Sequence, residues 1–465
     1  MRINTNVSAI VANNNLSKAQ SKLEASLQRL SSGFKINEAS DDTTGMAVSM
    51  KMKLQLKGLE RSDNNAADGI SVIQTAEGAL TEVQSMVQRM KELTVQAAND
   101  VNSPEERAAI QEEINALNEE INRITNDTDF NTKPLLDGNL SRRIYSDVRG
   151  VTQLDCSSNM ISGIYAIDVN ADAQQAQASL SMSGLPATIA DDMAGTVDIN
   201  GYAIDIKSGD TAEDVEYKIV SACSVIDCSA EKNGGNLDVS TNEYGSNIAL
   251  NITCDNPALS AALGIGDGLK AEGKDADVNF SIDGSGDRIG FSDTAVITTL
   301  GNKVTVKDLN SKSLSFIIPQ DMAGKTINQE ITDIGTMRVH IGANEGQQLE
   351  IDLPQINTKT LGLEGLNVMT HDNASRAITK VDEALSKVSS ARAKLGAYAN
   401  RLDHTDSNLD ISNENLTAAL SRIIDTDMAE EMTEYTSQNV IAQAGTSMLS
   451  QANQRPESVL QLLQG

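Results

Sequence analysis

The chain has 465 residues, no Trp, only 3% aromatic but 39% hydrophobic side chains, and a formal net charge of −28. That length leaves room for two to four domains, and the acid excess excludes the basic footprint that DNA, RNA or an anionic membrane surface requires. An apolar content drawn mainly from Leu, Ile, Val, Ala and Met, without the aromatic anchors of a thick core, suits long helical seams.

Met1 to Asn15 has no apolar core and no small-residue cleavage site, so it does not read as a secretory signal peptide. No run approaches 18 consecutive apolar residues, so no membrane insertion is expected. If the protein leaves the cell, the route retains its N-terminus.

Proline punctuates the chain unevenly. It occurs at Pro104, Pro134, Pro186, Pro257, Pro319, Pro354 and Pro456, which leaves residues 1–103 and 355–455 free of it and predicts long helices at both ends. In the first segment Leu16, Leu23 and Leu30 recur every seven residues, with Leu27 between, until Ser31, Ser32 and Gly33 break the pattern. Asp41 and Asp42 are candidate caps for a second helix running to about Asn99. Its stripe of Ala66, Ile70, Ile73, Ala76, Leu80, Val83, Val87, Met90 and Leu93 steps by threes and fours. Continuous helix over that stretch spans roughly 85 Å at 1.5 Å per residue. A third helix is signalled by Ser103 as N-cap, Pro104 at the first helical position and Glu106 closing a capping box, followed by Ile110, Ile114, Leu117, Ile121 and Ile124.

Residues 140–370 change character. Alternating runs such as Thr196 to Ile206 and Met337 to Ile341 read as strands, punctuated by Gly, Asn, Asp and Ser. All four cysteines, Cys156, Cys223, Cys228 and Cys254, lie here. No Cys-x-x-Cys spacing or nearby His supports a metal or redox site, so ordinary buried or paired thiols are expected, with three fully paired connectivities open. Asp283 to Asp287 has a faint likeness to a calcium loop but lacks the remaining ligands, and turn residues are the better reading. His340, His371 and His404 form no zinc or nucleophile motif, so neither catalysis nor a cofactor is expected.

The C-terminal segment is the most regular. Val381, Val388, Leu395, Leu402, Leu409, Leu416 and Ile423 fall at one heptad position, while Ile378, Leu385, Arg392, Ala399, Asp406, Asn413 and Leu420 make a mixed companion position. Burying seven such side chains contributes on the order of 10–20 kcal/mol gross. The N-terminal stripes are the available partners. The expected fold class is therefore α+β: paired N- and C-terminal helices forming a coiled-coil-like rod, with a β-rich central insertion projecting as a head.

The local sequences then resemble those of bacterial flagellins. The likeness is carried by Met1 to Ile10 (MRINTNVSAI), Leu27 to Gly33 (LQRLSSG), Ile36-Asn37, Asp41-Asp42 with Gly45, Ile70 to Leu80 (ISVIQTAEGAL) and Val87 to Ala98 (VQRMKELTVQAA). It resumes at Ile341 to Gly346, Thr360 to Leu363, Ala444 to Ser447 and Gln451 to Gln454, covering about 230 residues in the family's order. Residues 199–265 are more weakly similar to a small β-rich module found in flagellin insertions.

The resemblance implies residues 1–42 as an inner-core helix and spoke, 43–140 and 337–425 as the two halves of a helical rod, 141–336 as variable outer domains, and 426–465 as the C-terminal inner-core helix. It implies that the extreme ends, about 1–35 and 428–465, order only inside the filament. It further implies a non-enzymatic subunit that polymerises with itself into the extracellular flagellar filament for motility. The implied partners are an export chaperone at the C-terminal helix, the filament cap and hook-junction proteins, and the innate immune receptor TLR5. By motif the receptor patch falls on Arg89, Leu93 and Glu113, although Leu93 also belongs to the apolar stripe and the two charges read equally as solvated. A hook–filament junction protein of the same helical family, or a soluble secreted coiled-coil ligand or adhesin, are the alternatives.

Three departures stand out. Phe130-Asn131-Thr132 replaces the family's Phe-Asn-Gly, so a turn that would use glycine's positive φ is expected to differ. Thr43-Thr44 stands where small Ala is common, and the cysteines are uncommon in the family.

Overall fold

The computed structural model describes residues 5–157, 160–282, 288–308, 312–332 and 334–464; the Asp283 to Asp287 turn lies outside them. The chain is α+β, with the long helices at its two ends and the strands between. It divides into two compact units. One holds the residues up to Asp68, the segment His340–Leu349 and everything from Leu402 onward; the other holds Gly69–Val339 and Glu350–Arg401.

Helix α1 covers Val7–Ser32. Asn6 caps its start, its Oδ1 accepting from the Ala9 amide at 3.1 Å, and Gly33 at φ 75° ends it in the left-handed cap that glycine adopts without a Cβ clash. Helix α2 is Thr43–Ala97. Only Asp42 caps it, accepting from Thr44 and Gly45 amides at 3.0 and 2.9 Å. Asp41 instead turns back to accept from the amides of Asn37 and Glu38, both at 3.0 Å, which lowers its carboxyl pKa. Helix α3, Pro104–Asp127, starts on the expected reciprocal box: Ser103 Oγ accepts from the Glu106 amide at 3.2 Å and Glu106 Oε2 accepts from the Ser103 amide at 2.8 Å.

The turn after α3 is a two-residue hairpin joining Asp129–Phe130 to Lys133–Pro134. Asn131 and Thr132 both sit at positive φ, 51° and 64°. The left-handed turn is thus kept, with a β-branched residue in it where glycine would be unstrained.

The insertion contains two bodies. In one, strands Gly163–Ala171, Lys325–Ile331, Ile144–Ser146 and Asp277–Phe280 form one antiparallel sheet, and Val296–Leu300, Lys303–Lys307, Ser313–Ile317 and Thr152–Cys156 form another. Ile167, Val304, Phe316 and Ile327, all wholly buried, belong to their common core. The second body is spliced into the first, since its flanking residues Ala171 and Asp277 pair with each other. It carries the hairpin Gly195–Ile199/Tyr202–Ile206, turned by Asn200 and Gly201 at φ 49° and 82°, so that the alternating run from Thr196 to Ile206 is two strands. Helices α4 (Ala212–Val225) and α5 (Pro257–Leu263) close it over Val197, Ile219, Leu237 and Ile252. Its core runs from Ala176 to Ala271 and contains the module-like stretch 199–265.

After the short helix α6 (Thr358–Leu361), helix α7 spans His371–Ile424 and α8 spans Met428–Gln464. The spliced body is fastened to the start of α7 and the loop before it. Asn367 Nδ2 donates to the Val225 carbonyl at 2.8 Å, and the buried Asn373 donates through Nδ2 to the Ile226 carbonyl at 3.3 Å. Lys380 pairs with Glu243, and Lys303 of the first body pairs with Glu383 at 3.0 Å.

Candidate functional site: the terminal helices and the long seams

Within the first unit, α1 and α8 lie side by side and antiparallel. Asn6 Nδ2 donates to the Ala452 carbonyl at 2.8 Å, Ser26 Oγ to the Glu431 carbonyl at 3.4 Å, and Arg29 approaches Glu431 at 3.8 Å. Gly445 belongs to this pairing for a steric reason: a Cβ there would lie 3.3 Å from Leu16 Cδ1. The backbone closes the pair at one end, where the Lys35 amide donates to the Ile424 carbonyl at 2.6 Å and the Thr426 amide to the Gly33 carbonyl at 3.0 Å.

This pairing leaves much apolar surface bare. Among the described side chains it fully buries only Ala19 and Ser26 of α1 and Gln438 of α8, while Leu16, Leu23 and Leu30 are half-buried. Val7, Ile10, Val11 and Leu27 of α1 and Met432, Val440, Ile441 and Met448 of α8 stay exposed, Val7 at 65% and Met448 at 61%. These exposed apolar side chains are spread along the length of both helices.

The long helices behave differently. Along α2 the residues Ser62, Ala66, Gly69, Ile73, Ala76, Leu80, Val83, Val87, Met90, Thr94 and Ala97 are buried at strictly alternating steps of four and three. Ile70 of the expected stripe is only half-buried, and Gly69 occupies the seam in its place. On α7, Val381, Val388, Leu395 and Leu402 are wholly buried and Leu409 nearly so; Leu416 and Ile423 are half-buried, and Leu420 and Ile424 take over. A helix of 3.6 residues per turn drifts away from a strict 3.5 repeat, which moves the buried face by one position after several heptads. The second buried row is Ala377, Ala384 and Ala391, one residue before the companion row of Ile378, Leu385 and Arg392, which is half-buried, while Ala374 extends the first row by one heptad. Small alanines, invisible to a search for large apolar residues, line that side.

In the second unit α2 and α7 run antiparallel, as polar contacts along their edges show. His371 Nδ1 lies 2.8 Å from the Ala98 carbonyl, Lys91 Nζ 2.5 Å from Asp382, and Arg392 Nη1 donates to Gln84 Oε1 at 2.7 Å. Near this edge Arg89 Nε donates to Glu113 Oε1 at 2.9 Å and its Nη1 to Glu92 Oε2 at 3.0 Å, and these carboxylates raise the guanidinium pKa further. Arg89 and Glu113 are about half exposed, whereas Leu93 is 2% exposed.

The four cysteines are free, Cys223 and Cys228 buried and Cys156 and Cys254 half-buried. Burial pushes the thiols up, to about 12 at Cys156 and Cys228 and about 11 at Cys223. Among the described residues no cluster of three or more His, Cys, Asp or Glu is arranged to hold a metal, and no helix is long and apolar enough to cross a membrane.

Antiparallel terminal helices with bare apolar faces, joined to heptad-seamed helices, define a subunit built for helical self-association. Residues 3–141 match the bacterial flagellin N-terminal helical region and residues 378–463 the bacterial flagellin C-terminal helical region. The chain is 34% identical to a flagellin of Clostridium tyrobutyricum over 98% of its own length and all of the relative's. It is 30% identical to polar flagellin C of Vibrio parahaemolyticus over 99% of each chain. The solved structure of FliC from Burkholderia pseudomallei aligns at 18% identity and a TM-score of 0.25, covering 72% of this chain and 99% of that one. The chain belongs to the bacterial flagellin family, and it is a structural subunit of the flagellar filament.

Proposed function

We propose that polymerisation proceeds through the apolar faces that α1 and α8 leave uncovered, each subunit's pair being completed by the same helices of its neighbours. The observation that carries this reading is the exposure of Val7, Ile10, Val11 and Leu27 beside Met432, Val440, Ile441 and Met448, on helices that bury almost nothing between themselves. At about 25 cal/mol per Å², covering these side chains in every subunit supplies the dominant attraction of a polymer. The acidic surface of each chain, net −28, keeps unassembled copies apart and soluble. Motility on this reading is mechanical transmission of torque by packed subunits, with no catalytic step.

The same reading places the protein outside the cell after export through the flagellar channel. A chaperone covers the C-terminal helix before export, and cap and hook-junction proteins bound the polymer at its ends. Recognition by TLR5 is assigned to Arg89 and Glu113, which are accessible, with the buried Leu93 acting by setting the packing beneath them. Adding purified protein to short filament seeds and viewing by electron microscopy tests the main proposal. Long polymer is expected; a terminal cap alone would indicate a junction protein, and no growth a soluble ligand. A receptor reporter assay tests the patch: Arg89→Ala and Glu113→Ala should each weaken signalling, and wild-type signalling from both would remove it.

A further inference from the structure

Asparagine followed by glycine occurs twice in the chain, at Asn200-Gly201 and Asn233-Gly234. The pair is chemically special. Glycine has no Cβ to shield its amide nitrogen, which can therefore reach the carboxamide carbon of the residue before it. Both pairs lie at hairpin turns of the spliced body, yet the fold treats them in opposite ways.

The first pair is locked. Asn200 is half-buried, its Oδ1 accepts from the Asn251 amide at 2.8 Å, and its own amide donates to the Asn251 carbonyl at 2.9 Å. The Gly201 amide, whose nitrogen has to attack, donates to Asp198 Oδ1 at 2.8 Å. Ring closure here requires breaking bonds to both reacting groups.

The second pair is open. Asn233 ends strand Cys228–Asn233 and Asn236 begins strand Asn236–Tyr244, the two residues pairing across a two-residue turn. Gly234 stands at φ 66°, the positive value that the first position of such a turn takes. Asn233 and Gly234 are both exposed, and a Cβ on Gly234 would meet nothing within 4 Å. Among the described residues the Gly234 amide donates to no acceptor. The Asn233 carboxamide keeps a single exposed contact, Nδ2 to Asp238 Oδ2 at 3.2 Å.

We infer that Asn233 is a site of spontaneous covalent modification, at which the Gly234 nitrogen converts the side-chain amide to a carboxylate. That nitrogen attacks Cγ of Asn233 and a new N–C bond forms. The Cγ–Nδ2 bond breaks, and Nδ2 leaves as ammonia with the proton that the Gly234 amide gives up. Water then opens the five-membered imide at either carbonyl, giving aspartate or isoaspartate. The net reaction consumes one water, releases one ammonia and needs no oxidant or cofactor. Each modified copy in a filament gains one negative charge, and the isoaspartyl product lengthens the backbone by one carbon opposite Asn236. Older subunits thereby become distinguishable from new ones at this hairpin.

Ageing the full-length protein in mildly alkaline buffer, followed by proteolysis and mass spectrometry, tests the assignment. The peptide holding Asn233 should convert at least about tenfold faster than that holding Asn200, which must first give up its hydrogen bonds. Isoaspartate should be present among the products at position 233, since direct hydrolysis of the side chain yields aspartate alone. In denaturant the two rates should converge, because both pairs lose their surroundings. Asn233→Gln closes a less favourable six-membered ring, and its exposed position lets the variant keep its fold, checked by circular dichroism. It should lack the acidic form that aged wild-type protein shows on isoelectric focusing. Equal rates at Asn233 and Asn200 in the folded protein, aspartate without isoaspartate, or the same acidic form in aged Asn233→Gln would overturn the proposal.

Discussion

Asp63 of α2 and Asp406 of α7 meet carboxyl to carboxyl, and the hydrogen bond between them exists only while one of the two holds a proton. That bond, followed by burial and the charges of Asp63, Asp410 and Asp403, pushes Asp406 up from 3.8 to about 6. The proton is favoured in the folded state. The contact is therefore at full strength below the unfolded value of 3.8 and is lost as pH rises through about 6. Asp406→Asn keeps a donor at every pH. Its stability advantage over wild type, measured as the difference in urea midpoint, should be near zero at pH 3.8, grow up to pH 6 and then level off. A difference that is flat across that window would refute the shared proton.

Leu402 is wholly buried in the α7 seam. Leu402→Ala removes its packing and should cost about 2–5 kcal/mol by chemical denaturation. Leu402→Asp adds an unpaired buried charge and should abolish the paired long helices and, with them, filament growth on seeds. Normal filaments from the Asp variant would contradict the seam.

Thr132 holds φ 64°, where its Cβ clashes with neighbouring backbone. Thr132→Gly relieves that strain but gives the unfolded chain more freedom to lose. The expected net gain is about 0.5–1 kcal/mol, read from the denaturation midpoint. The same change at Thr128, which is not at positive φ, should bring no gain.

The raised thiol pKa values leave little thiolate at pH 7. Thiol titration with a disulfide reagent should label the folded protein slowly and all four cysteines rapidly in denaturant. Fast native labelling of Cys223 or Cys228 would show that the spliced body opens.

The ends of the molecule were legible in the sequence because their signals are local. Ser103, Pro104 and Glu106 specify a helix start within four residues, and Val381 to Leu402 mark a seam by spacing alone. What escaped was set by partners distant in sequence or by small side chains. Nothing near Asp406 announces Asp63, which is on another helix. The alanine row at Ala377, Ala384 and Ala391 carries no large apolar signature, whereas the mixed row one residue later does. Asp41 and Asp42 look alike as caps, and only backbone geometry decides that one serves α2 and the other the preceding turn. The attachment of Asn373 to the Ile226 carbonyl depends on main-chain oxygens, which sequence does not distinguish.

The bond from Asn6 to the Ala452 carbonyl joins positions 446 residues apart. At 5–20 residues per second, a ribosome needs roughly 20 to 90 s to make the second partner after the first has emerged. During synthesis the opening helix consequently has nothing to fold onto, and loop closure over so long a span comes late and slowly. Interior strands, whose partners are closer in the chain, are free to form earlier. A nascent chain therefore finishes its middle before its beginning, and the two terminal helices pair last.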